Sequence, residues 1–99
     1  MFYLLTIDII DKIDDEEFKK KLNLSFNWMQ IMPNVFIIKS NKDEATWYNR
    51  FKLVLKDNSF FLVKIEEEHY IGWIHKRVWN WIDENKNYKV EKRPGLVKN

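Results

Sequence analysis

The chain has no cysteine and only two glycines and two prolines in 99 residues. Without cysteine there is no disulfide, no thiolate metal site and no cysteine nucleophile. Gly72 and Gly95 are too few to build a glycine-rich phosphate cradle. None of the patterns G-x-x-x-x-G-K-S/T, G-x-G-x-x-G or G-x-S-x-G occurs. The scarcity of glycine and proline also argues against a loop-rich or disordered chain. Long hydrophobic runs are lacking too. The apolar opening stretch has no basic segment before it and meets Asp8 and Asp11 too early for a signal peptide or a membrane span. A reducing, cytoplasmic location is the expectation.

What is present is a core. The sequence is 45% hydrophobic, with five Trp, four Tyr and seven Phe, enough for the interior of one domain of this length. Charged residues make up 32% and the formal net charge is +2, so the whole molecule is not a general polyanion binder. The charge is uneven. Residues 86–99 carry Lys86, Lys89, Lys92, Arg93 and Lys98 against Glu91 alone, and the preceding part is net acidic. A domain over residues 1–85, followed by a basic tail over 86–99, is the expected organisation.

Residues 2–10 are dense in β-branched and aromatic residues at both parities, the pattern of a central strand covered on two faces. A helix follows, with Asp14 and Glu17 as a capping box and Ile13 and Phe18 as its hydrophobic staple. Only Phe18 and Leu22 face inward on it. Residues 26–32 and 35–39 read as an antiparallel hairpin turning at Pro33-Asn34. A second helix is expected to start at Ser40 or Asn41 and to present Trp47, Tyr48, Phe51, Val54 and Leu55 on one face. Residues 60–65 form another strand with both parities apolar. After Glu66-Glu67-Glu68, residues 69–74 read as a loop or short edge strand, with Gly72 allowing a bend. Residues 75–85 read as a third helix carrying Val78, Trp79 and Ile82. Tyr88 and Val90 alternate with charged residues, the pattern of a short last strand.

This order predicts an α+β, ferredoxin-like βαββαβ domain: a four-stranded antiparallel sheet with a C-terminal helix/strand appendix. Two crossover helices shield one face of such a sheet. The other face is also apolar and needs a cover, either the appendix or a second subunit. A homodimer that packs these faces is favoured, with residues 86–92 crossing to the partner sheet. Trp73, Trp79, Trp81, Tyr88 and Val90 are then its interface residues, Trp being enriched at interfaces.

Few residues suggest chemistry. Asp8, at the end of the first strand and close to Asp11, is the candidate catalytic residue and metal ligand. Beside a two-fold axis it would pair with its symmetry mate and hold Mg through oxygen ligands, activating water against a phosphodiester. A strand-terminal Asp that simply meets solvent is the plainer alternative. His69 and His75 have no partner ligands at a recognisable spacing. Trp73, Trp79 and Trp81 beside Lys76 and Arg77 can stack on bases while the cations meet phosphates, or they can roof the sheet. Lys86, Lys89, Lys92 and Arg93 extend that basic surface.

The opening Phe2-Tyr3-Leu4-Leu5-Thr6-Ile7-Asp8-Ile9 resembles the first strand of the small CRISPR-adaptation proteins of the Cas-two family, in which an Asp closes the strand. The middle and end are similar to the related SinR-like, Cas-two-like group. The residues concerned are a Trp-containing strand, Val35-Phe36-Ile37-Ile38-Lys39-Ser40, Phe61-Leu62-Val63-Lys64-Ile65, the stretch Tyr70-Ile71-Gly72-Trp73 and the helix Val78-Trp79-Asn80-Trp81-Ile82. The similarity spans residues 2–83. It implies a ferredoxin-like, dimeric protein of a group that holds metal-dependent nucleases, VapD- and GhoS-type ribonucleases and DNA scaffolds. By position, Asp8 corresponds to the metal ligand, and the Arg-rich segment of the family is not matched. Two functions are therefore expected. The first is a dimer acting on RNA or DNA, with Mg-dependent ribonuclease activity. The second is a protein-binding module without catalysis, such as a phage or mobile-element inhibitor that covers a host defence complex.

Overall fold

A computed structural model describes residues 1–66 and 69–86. Tyr88, Lys89, Val90, Lys92 and Arg93, and the last strand expected around them, lie outside the described residues. The elements are β1 (Phe2–Asp8), α1 (Asp15–Leu22), β2 (Asn27–Met32), β3 (Val35–Lys39), α2 (Glu44–Leu55), β4 (Ser59–Ile65) and α3 (Lys76–Asn85). The strands form one sheet in the order β2-β3-β1-β4, with every neighbouring pair antiparallel. This is the ferredoxin-like α+β arrangement with an added C-terminal helix.

β1 is central because its residues are apolar on both sides. Tyr3, Leu5 and Ile7 point to α1 and α2, whereas Phe2 and Leu4 point to the opposite face. On the first face Trp47, Phe51 and Leu55 of α2 and Phe18 and Leu22 of α1 close a core in which most members are fully buried. Trp47 stacks on Phe51 at 5.3 Å, and Phe18 meets Phe36 edge-on at 5.2 Å. The polar handles of this layer are satisfied, since the Tyr3 hydroxyl donates to the Lys42 carbonyl at 2.6 Å and Trp47 Nε1 donates to Ser40 Oγ at 2.8 Å.

That bond explains where α2 begins. Ser40 or Asn41 was the expected cap, but Asp43 takes the role, its carboxylate accepting from the Thr46 N–H at 2.9 Å. Ser40 is buried, and its hydroxyl is already engaged by Trp47 and by the Lys42 N–H. The bonds from Thr46 hold the Asp43 carboxyl below the usual carboxylate range. Burial, with Glu44 and Asp43 nearby, pushes the Tyr3 phenol up. α1 starts where the sequence places it, with Asp14 accepting from the Glu16 and Glu17 N–H groups. Glu17 pairs forward with Lys20 at 3.2 Å.

The second face holds Phe2, Leu4, Met29, Ile31, Ile37 and Ile65, covered by Val78, Trp79, Trp81 and Ile82 of α3 and by Tyr70 and Ile74 ahead of it. Of the two covers the sequence left open, the chain's own appendix therefore serves over β2, β3 and the start of β1. The far end of this face, toward Thr6 and Phe61, lies beyond α3, and Phe61 is 67% exposed.

Candidate functional site

α3 lies toward the β2 edge, where Asn27 Nδ2 donates to Asn85 Oδ1 at 3.0 Å. The segment 69–75 returns from the end of β4 to the start of α3 on the same face. Its anchors are Tyr70, stacked on Trp79 at 6.2 Å, and Ile74, packed into the α3 layer. His75 then starts the helix, its Nδ1 accepting from the Arg77 N–H at 3.1 Å. On β4 this cover stops at Ile65 and leaves Val63 and Phe61 exposed. The gap is a groove of about 440 Å³, floored by Phe2, Leu4, Ile37 and Val63 and walled by Tyr70, Ile74, Trp79 and Ile82.

The rim is apolar as well. Ile71 is essentially fully exposed, as is Trp73 two residues on, and Met32 is exposed on the other side. An apolar, concave surface with a few polar groups at its edge is what a binding site for apolar side chains looks like. Glu66 and His69 contribute those polar groups, and the Lys64 backbone lies beside them while its side chain alternates to the other face. Gly72 was expected to permit a bend. A Cβ there would meet nothing within 4 Å, so space does not require glycine at this point.

The expected site residues fall in different places. Asp8 is exposed at the end of β1, paired through its backbone with Ser59 and beside a shallow hollow formed with Thr6, Phe60 and Phe61. Among the described residues no group of three or more His, Asp or Glu is placed to hold a metal ion. Trp79 and Trp81 are roof residues over the second face, Trp81 lying 5.9 Å from Phe2. Trp73 stands outside that roof. Lys76 and Arg77 are exposed at the start of α3, one turn from Trp73. The Lys86 ammonium lies 3.8 Å from Asp83, so part of its charge is met within the chain.

Nothing in the sequence singles out Asn58. It is buried, its Oδ1 accepting from the Ile10 and Asp11 N–H groups at 2.7 and 2.8 Å, while its Nδ2 donates to the Asp11 and Leu55 carbonyls. All its hydrogen-bonding capacity is spent on tying the chain after β1 to the turn before β4. No local signal separates such an Asn from an ordinary turn residue.

Comparison of the chain with protein-family models, with curated proteins and with solved structures gives no match. Among the described residues no helix is long and apolar enough to cross a membrane.

Proposed function

We propose that this protein is a binding module that docks a protein partner over the apolar groove between β4 and the 69–75 segment. The observation that supports this reading is the pairing of an apolar hollow with the bare side chain of Ile71 on its rim, followed two residues on by the equally bare Trp73. Large apolar groups left in water beside a concavity mark interaction surfaces. The carboxylate of Glu66 beside it suits a polypeptide better than a phosphate backbone, which would call for a basic surface. Covering a defence complex, as a phage-encoded inhibitor does, is one use of such a module.

A second reading is favoured by a different observation, the exposed Trp73 with Lys76 and Arg77 close behind it. That trio can stack a base and meet phosphates, in line with the resemblance to Cas-two-like proteins. Lys86, Lys89, Lys92 and Arg93 would extend it, and Asp8 would be its Mg ligand if a second chain supplied a matching carboxylate. The aromatic platform by which some ferredoxin-like sheets read single strands is not free here, because the central positions Phe2 and Ile37 lie under α3.

Selection of a random peptide library on the immobilised protein separates the two. Under the groove reading, enriched peptides carry apolar residues at alternate positions, and Ile71→Asp weakens them at least ~10-fold, about 1.4 kcal/mol. Labelled single-stranded RNA and DNA, titrated in parallel at low salt, then bind with no more than weak affinity. If peptides are not enriched while nucleic acid binds tightly and steeply with salt, the groove reading is lost. Cleavage in Mg that Asp8→Asn abolishes would instead establish the nuclease.

A further inference from the structure

β4 is an edge strand, and its hydrogen-bonding polarity can be read from its neighbour. Ile7 N–H donates to the Asn34 carbonyl at 3.0 Å, and Met1 and Ser40 exchange bonds at 2.9 and 3.2 Å. The odd-numbered residues of β1 therefore direct their backbone groups to β3, and the even-numbered ones direct theirs to β4. The register pairs Leu4 with Val63 and Thr6 with Phe61. It follows that Phe60, Leu62 and Lys64 aim their N–H and C=O groups away from the sheet. No partner for these groups occurs among the described residues.

We infer that β4 pairs antiparallel with β4 of a second copy of this chain, about a two-fold axis through Leu62. In that register Leu62 faces Leu62 of the other copy, and Phe60 faces Lys64 in both directions. Every outward backbone group is then matched, because the three outward residues are spaced symmetrically about Leu62. Shifting the axis to Phe61 or Val63 leaves one end of the outward row unmatched. Side chains agree with this choice. Phe61 and Val63, exposed on the second face, become directly opposite each other in a non-hydrogen-bonded pair, where side chains come closest. On the helix face, Lys64 of one copy comes opposite Phe60 of the other. Phe60 shares its hollow with Glu44 and Tyr48, so a cation there meets an aromatic ring and a carboxylate. Of the usual edge protection the strand carries one charge, Lys64, and neither proline nor bulge.

This seam joins edges, not faces, and leaves both grooves open. It also sets the two Asp8 residues at opposite ends of the joined strands, about 20 Å apart along them and about 14 Å across three strand spacings, so it does not make a shared metal site.

The absence of cysteine allows a clean test on the full chain. Phe61→Cys protein is mixed with Val63→Cys protein under mild oxidant and compared with each variant alone. The mixed disulfide is expected to form at least ~10-fold faster than either same-residue disulfide, because only opposed positions meet disulfide geometry. Sedimentation of the unmodified chain at tens of micromolar should give the dimer mass, and Lys64→Glu should shift it toward monomer with an unchanged circular dichroism spectrum. A monomer at 100 micromolar overturns the inference. So does a dimer whose mixed disulfide forms no faster than the same-residue ones, since its seam then lies elsewhere.

Discussion

On one face of the sheet, Trp47, Phe51, Leu5 and Leu22 are sealed from water by two crossover helices. On the other, Val78 and Ile82 are as well buried, but Leu4, Met29 and Ile65 beneath them are half-covered and Phe61 is bare. The sequence composition of the two faces is alike, and what differs is the lid. α1 and α2 are bound into the fold at both ends because each links two strands. α3 follows β4 and, among the described residues, is joined to a strand at its first end only, through the 69–75 segment, while its far end is held by the Asn27–Asn85 bond. A helix held in that way covers what it reaches and leaves a margin, and the margin here is the groove and the β4 edge.

The contrast can be broken by substitution. Trp47→Ala should have the largest effect, about 3–5 kcal/mol in urea unfolding, because it empties a closed layer that cannot collapse and strands the Ser40 hydroxyl. Ile82→Ala should cost about 2 kcal/mol, the low end for an aliphatic truncation, because the half-covered neighbours can settle into the space. Equal costs for the two would mean that the α3 face is as tightly closed as the other. Phe61→Ser, measured on dilute protein, should change stability by less than about 0.5 kcal/mol. A larger loss would show that the bare strip is already packed within one chain.

The sequence announces the closed face well. The alternate positions of β1, the three- and four-residue spacing of Trp47, Phe51 and Leu55, and the Asp14 cap are all local patterns, and the sheet order follows from them through the handedness of crossovers. The open face is less legible. That both parities of β1 and β4 are apolar says a cover is needed, but not where the cover stops. The gap depends on the angle at which α3 crosses β2, set by distant contacts such as Asn27 with Asn85 and Tyr70 with Trp79. The start of α2 was misread for a similar reason, because Ser40 is a good cap by type and is taken by a ring seven residues on. Asp8 draws attention in the sequence through its place at a strand end, and the fold leaves it exposed there beside a shallow hollow.

The Asn58 clamp bears on how the molecule breathes. Connections between strands normally exchange their amide protons quickly, since little holds them shut. The Ile10 and Asp11 amides are instead bonded to a buried side chain that is locked on its other side to the end of α2. In heavy water these two should retain protium alongside the central strand, so that the ribbon leading out of β1 opens only when the helix-backed layer opens with it.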